Sequence, residues 1–130
     1  MTVEPGLMYS KNDEWVRIEG DTATIGITDY AQSELSDIVF AEVSVEEGES
    51  VEAGDCIGTV ESVKAASDIY SPVAGTVAEV NTVIADAPET INKDAFGEAW
   101  FLKLNLDGPA DTSELMDAVA YEKYCAEREH

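Results

Sequence analysis

Turn signals cut this chain into short, strand-sized runs. The stretch Gly48-Glu49-Ser50-Val51-Glu52-Ala53-Gly54-Asp55 places two Gly-acid turns six residues apart. Upstream, Glu14-Trp15-Val16-Arg17-Ile18-Glu19 is rich in β-favouring residues. Gly20-Asp21 then supplies a turn, and Thr22-Ala23-Thr24-Ile25-Gly26-Ile27 alternates on its odd positions, so the pair predicts a hairpin. Thr28 can cap a short helix over Asp29 to Leu35, with Asp29 favourable in its first turn. Ile38 to Val43 reads as a strand, and Glu46 to Ser50 as an acidic turn around Gly48. Further strands are expected at Cys56 to Val63, Ala66 to Val80 and Trp100 to Leu104, with a helical turn starting at Pro88. Short strands between Gly turns point to a small β-barrel or sandwich.

The end changes character. Asp111-Thr112-Ser113-Glu114 is a helix-start signal. Leu115 and Val119, then Met116, Ala120 and Tyr124, recur at four-residue spacing, which predicts a helix over about 112–125. The expected organisation is one domain over 1–130, with a core over about 9–106.

Of the 130 residues, 45% are apolar, enough for a real core. The 28 acidic and seven basic residues give a net charge of −21. A small soluble domain typically carries a magnitude of roughly 2–8. Such acidity argues against nucleic acid and against anionic membrane surfaces as partners. It fits partners with basic docking surfaces, and equally fits plain solubility. The sequence has no run of 18 apolar residues, and its acidic beginning has neither a signal-peptide nor a transit-peptide pattern. Cys56 and Cys125 make neither a disulfide framework nor a metal site, and His130 is the sole histidine. A histidine triad or a zinc site of the usual ligands is not expected.

One lysine stands out. From Ile18 to Asn92 the chain has sixteen Asp or Glu and, apart from Lys64, no Lys, Arg or His. With Lys64-Ala65 as a two-residue hairpin loop, Val63 faces Ala66, Ser62 faces Ser67, Glu61 faces Asp68 and Val60 faces Ile69; further out, Cys56 faces Val73 and Gly54 faces Gly75. The apolar pairs Val60–Ile69 and Cys56–Val73 share one face and Lys64 lies at the apex, although the loop lacks the Asn-Gly or Gly-X usual there. Glu61 opposite Asp68 would be an unfavourable like-charge pair. Either the two acids are solvated and splay apart, or they mark the lysine for a modifying enzyme.

The segment ESVKAASDIYSPVAG, with GESVEAGD before it, resembles the lipoyl attachment hairpin of the glycine cleavage system H protein. YSKNDEWVRIEGDTATIGITDYAQSELSDIVFAEV resembles that family's N-terminal half, INKDAFGEAWFLKL the segment before its last strand, and LMDAVAYEKY its terminal helix. The likeness spans about Tyr9 to Tyr124. Departures are Asp13 where the family often has His, Ser36 where it often has Gly, and Ala95-Phe96 where it often has Pro-Tyr.

The resemblance implies a mainly β barrel-sandwich hybrid, like the lipoyl and biotinyl carriers, with short helices and a C-terminal helix. It implies a carrier rather than an enzyme, with lipoic acid in amide linkage on Lys64. The arm would accept an aminomethyl group at a pyridoxal-phosphate glycine decarboxylase. A tetrahydrofolate-dependent aminomethyltransferase would unload it, and a flavin- and NAD-dependent dihydrolipoamide dehydrogenase would reoxidise it. Lipoylating enzymes would be further partners. Because the loaded arm is prone to hydrolysis, it would tuck into a groove, for which Glu14 and Asp68 are candidate carboxylates. Glu61 and Asp68 are the candidates for recognition by the lipoylating enzyme. The resemblance also implies a monomer in the cytoplasm, or in the mitochondrial matrix of a eukaryote.

Rival readings differ at Lys64. Biotin carriers flank their lysine with Met, unlike Val63 and Ala65. Lipoyl domains of 2-oxo acid dehydrogenases usually have Asp before the lysine and are shorter. A Schiff-base enzyme needs a buried lysine. An H-like carrier in lipoate relay or stress signalling would have nearly the same motif and stays open.

Overall fold

The structure, a computed structural model, describes residues 2–128; His130 lies outside them. The first hairpin forms as predicted. Strand β1 (Met8–Tyr9) pairs with β2 (Glu14–Glu19), which pairs with β3 (Thr22–Ile27) so that Glu19 faces Thr22 across the turn. Thr28 caps α1 (Asp29–Leu35), its hydroxyl oxygen accepting from the Ala31 N–H at 3.1 Å. Strand β4 (Ile38–Val43) has the expected bounds. Gly48 and Gly54 adopt φ of 91° and 93°, so both Gly-acid signals are left-handed turns, with β5 (Ser50–Val51) between them.

Among the described residues, β1-β2-β3-β9-β8-β5 form one sheet and β4-β6-β7 a second. Here β6 is Cys56–Ser62, β7 Ala66–Tyr70, β8 Gly75–Val80 and β9 Leu102–Asn105. Val16, Ile25 and Leu104 from the first sheet meet Ala41, Val60 and Ile69 from the second in one core. This is the mainly β barrel-sandwich expected. Short helices α2 (Val83–Asp86) and α3 (Thr90–Lys93) bury Ile84 and Ile91 in it. A separate aromatic cluster of Tyr9, Trp15, Tyr30, Phe96 and Tyr121 lies under the last helix, α4 (Ala118–Arg128).

Three expectations need correction. The strand predicted over Ala66 to Val80 is two strands, β7 and β8, in different sheets. Pro72 lacks a donor and Ser71 turns its hydroxyl back to the Val73 carbonyl at 2.6 Å, so the chain turns a corner there. The Cys56–Val73 and Gly54–Gly75 pairings therefore do not form; Cys56 faces Tyr70, and Gly54 N–H donates to the Ser71 carbonyl.

The last helix starts later than the Asp111 signal and runs past Cys125. The Asp111 carboxylate is taken up by the N–H and hydroxyl of Ser113, a local turn. Met116 is then held extended, exchanging both backbone hydrogen bonds with Tyr9 at 2.7 Å. The helix begins only after Asp117, whose carboxylate accepts from Ala120 N–H at 2.8 Å. Its buried face is Tyr121 and Cys125, and Val119 of the predicted stripe is exposed.

The register beside Lys64 also differs from the one expected. Ser36 closes α1 at φ 67°, ψ −147°, a region favourable to glycine and strained for other residues. Ser36→Gly is expected to stabilise the protein by about 1 kcal/mol, which a thermal melt would show as a rise of roughly 3–5 °C. An unchanged or lower melting temperature would contradict this.

Candidate functional site

Lys64 sits in the turn between β6 and β7, exposed at the surface, as its place between two strands of the smaller sheet dictates. The turn is not the two-residue loop of the sequence reading. Glu61 faces Ala66, Val60 faces Ser67 and Thr59 faces Asp68, so the register slides by two residues and Ser62-Val63-Lys64-Ala65 form the loop. Ser62 explains the difference. Its N–H donates to the Ala65 carbonyl at 2.7 Å, and its hydroxyl oxygen accepts from the N–H groups of Lys64 at 3.2 Å and Ala65 at 3.1 Å. A serine-built turn replaces the missing glycine. Val63 N–H is tied to the Asp37 carbonyl at 3.1 Å, which fixes the loop to the start of β4.

Sliding by two preserves the faces, so Glu61 and Asp68 stay on the outer side, as expected. They are diagonal neighbours and not a directly opposed pair. Asp68 faces Thr59, whose hydroxyl donates to it at 3.2 Å. The directly opposed like-charge pair of the expected register therefore does not form.

Glu14 is a different kind of acid. It is buried in β2, where its carboxylate accepts from the Ser10 hydroxyl at 2.6 Å and from Tyr70 N–H at 3.2 Å. Tyr70 is the far end of β7, so Glu14 is joined to the strand that starts beside Lys64. Burial pushes its pKa up to about 7, against the lowering effect of those two hydrogen bonds. Glu14, Ser10, Asn12, Tyr70 and Ser71 line a cavity of about 260 Å³. A second cavity of about 180 Å³, lined by Asn12, Ser67 and Ile69 among others, lies nearer the apex, and Asn12 borders both. Asp68 lines neither. Lys64 and Glu14 are thus separated by the length of β7, roughly 17 Å at strand spacing.

Neutral Glu14 favours the folded state. Its folded pKa lies above the ordinary value of 4.5, so the native protein holds the proton more tightly. Stability from this group is fully present below about 4.5 and falls as pH rises to about 7, by roughly 3 kcal/mol. Glu14→Gln should lose this dependence. Urea unfolding at pH 5 and pH 8 should show a smaller fall in the variant than in the wild type; equal falls would refute the assignment.

The sequence reading missed Ser62 and Ser10. An S-x-x-A run around the apex was the available signal for the first. For the second there was none, because Ser10 is set against Glu14 by the bend between β1 and β2.

A family model described as glycine cleavage H-protein matches residues 7–128. The chain belongs to this family. It is 52% identical over 118 residues to the glycine cleavage system H protein of Rubrobacter xylanophilus, covering 91% of this chain and 88% of that one. It is 56% identical over 122 residues to that of Burkholderia cenocepacia, covering 93% and 95%. The crystal structure of a glycine cleavage system H protein from Mycobacterium marinum superposes with a TM-score of 0.86 at 34% identity, over 95% of this chain and 99% of that one. H proteins are lipoate-bearing carrier components of the glycine cleavage system, not enzymes, and the system's enzymes are their partners. Among the described residues, no helix is long and apolar enough to cross a membrane.

Proposed function

We propose that this chain carries lipoic acid in amide linkage on Lys64 and shuttles the aminomethyl group of glycine. The observation that supports this most is the place of Lys64: exposed at the tip of a hairpin braced by Ser62 and by the Asp37 carbonyl. The small exposed residues around it leave Nζ open to acylation in its amine form, so the site fits the group. When bound, lipoate supplies a disulfide that accepts the aminomethyl unit and a dithiol that is later reoxidised. The chain's own part is placement, since a rigid tether makes each transfer effectively intramolecular once an enzyme docks.

On this reading the partners are the pyridoxal-phosphate glycine decarboxylase, the aminomethyltransferase, dihydrolipoamide dehydrogenase and a lipoylating enzyme. The two cavities that Asn12 borders form the groove for the arm, with Glu14 at its end. A carboxyl that ionises near 7 can meet an ammonium group there and bind it when charged. Asp68, on the outer face, serves recognition of the lysine along with Glu61. The whole chain is one carrier domain. Peptide mapping after incubation with lipoate, ATP and a lipoate ligase is the test: the adduct is expected on Lys64 alone. Modification of Lys11, Lys93, Lys103 or Lys123 instead would overturn the assignment.

A further inference from the structure

One side chain grips the backbone on both sides of Asp37. Asn92 lies in α3, which Ile91 anchors in the core. The Asn92 amide oxygen accepts from the Ile38 N–H at 2.9 Å. Its NH2 group donates to the Ser36 carbonyl at 2.8 Å and to the Gln32 amide oxygen at 2.9 Å. Both donors and the oxygen of the carboxamide are thereby used. Gln32 in turn donates to the Asp29 carboxylate at 2.7 Å, so the grip runs along α1. Between the two gripped positions, the Asp37 carbonyl accepts from the N–H of Val63, the residue before Lys64, at 3.1 Å. Ile38 also faces Ser62, whose hydroxyl builds the lysine turn. On its other side α1 supplies Ala31, Glu34 and Leu35 to the cavity of about 180 Å³, together with Ser67 and Ile69 of β7.

We propose that Asn92 is a positioning residue, which holds the root of the Lys64 arm and the α1 wall of its groove in one fixed relation. The proposal rests on the carrier reading and extends it. A helix end needs only partners for its last carbonyls, and water at the exposed Ser36 would supply one. Asn92 does more than this, because it joins α1, the turn at Ser36 and the start of β4 through one rigid amide. Ser36 stands at φ 67°, so the link from α1 to β4 is strained and has reason to relax when released. Relaxation there would move the Asp37 carbonyl, and with it the tie to Val63. Position at the root matters because the arm is long. From bond lengths, an extended lipoyl-lysine reaches about 14 Å, so a tilt of about 20° at its base displaces the far end by about 5 Å. That exceeds the length of a hydrogen bond, and the end of the arm would miss its place in the groove.

The test compares the lipoylated chain with its Asn92→Ala variant. Amide order parameters from NMR relaxation should fall at Val63 and Lys64 from the rigid range of about 0.85 to below about 0.6, while those at Ile25 and Val60 stay as they are. The arm is then loaded with an aminomethyl group by glycine and a pyridoxal-phosphate decarboxylase, the enzyme is removed, and release of formaldehyde is followed. In this hydrolysis the carbon takes the oxygen of water to become formaldehyde, the sulfur returns to a thiol and the nitrogen leaves as ammonium. The variant should release formaldehyde at least fivefold faster than the wild type. Asn92→Asp keeps the acceptor for Ile38 and loses both donations; it should move both readouts the same way and serves if the alanine variant folds poorly. Wild-type order and release within twofold of wild type in both variants would overturn the role of Asn92 and leave the carrier reading standing. So would a loss of order spread equally over the core, or a loosened loop with release unchanged. Release from the native wild type as fast as from a proteolytic fragment bearing the loaded arm would overturn the groove reading together with the proposal.

Discussion

Lys64→Arg is expected to leave the fold as it is and to abolish lipoylation completely. The side chain is at the surface of the hairpin loop, and the turn is held by backbone groups and by Ser62, none of which the substitution touches. Stability should change by no more than about 0.5 kcal/mol. Arginine keeps the charge, but its delocalised guanidinium stays protonated and does not form the amide. Intact mass after exhaustive treatment with a lipoate ligase should show the adduct on the wild type and bare chain for the variant, with coincident thermal melts. An adduct on the variant would place the attachment site elsewhere.

The largest loss of stability is expected at Asp13, next to Glu14. Asp13 stands at φ 67°, where the family often has His, and its carboxylate gathers the last helix onto the sheet. Arg128 donates to it at 2.7 and 3.1 Å, and the Tyr121 hydroxyl at 2.9 Å. The guanidinium lies between the rings of Tyr30 and Tyr124, at 4.3 and 4.1 Å. Its hydrogen bonds to Asp13 hold its pKa above the already high arginine range, against the effect of burial. Asp13→Ala strands this charge half-buried between two rings and leaves the Tyr121 hydroxyl with only the Thr28 hydroxyl, at 2.7 Å, as a partner. Breaking such a pair by removing one partner should cost about 2–4 kcal/mol. For a domain of this size that is roughly a 10 °C fall in melting temperature. Arg128→Met should cost a similar amount, and the double variant less than the sum, because both remove the same contact. Additive losses, or a loss below about 1 kcal/mol, would mean that α4 is held by Tyr121 packing alone.

What could be read from the sequence was local. The Gly20-Asp21 hairpin, the Thr28 cap and the two left-handed glycine turns are each specified by residues within one turn of the feature, and each forms where expected. The faces of the lysine hairpin were also legible, because alternation survives a slide of two residues. The register was not. It depends on a serine hydroxyl choosing its own loop over a tighter turn, which alternation alone does not reveal. The β-bulge in β4, where Ile38 faces Ser62 but Phe40 faces Glu61, was not legible either: Ile38 beside it packs into a core built from distant strands. The start of α4 was misplaced because Tyr9, at the other end of the chain, holds Met116 extended. The lysine itself was legible through its isolation among acids and the resemblance around it. Asp13 and Arg128 were not singled out as a pair, since they meet across 115 positions.

Glycine decarboxylation reconstituted with a pyridoxal-phosphate decarboxylase tests the central claim most directly, by exchange of labelled bicarbonate into the glycine carboxyl. The lipoylated chain should support exchange that saturates with its concentration, and both the unmodified chain and Lys64→Arg should give only background. Full exchange by the unmodified chain, or none by a chain shown by mass to be fully lipoylated, would contradict the carrier role proposed here. The second outcome would leave an H-like relay of lipoate as the reading of Lys64.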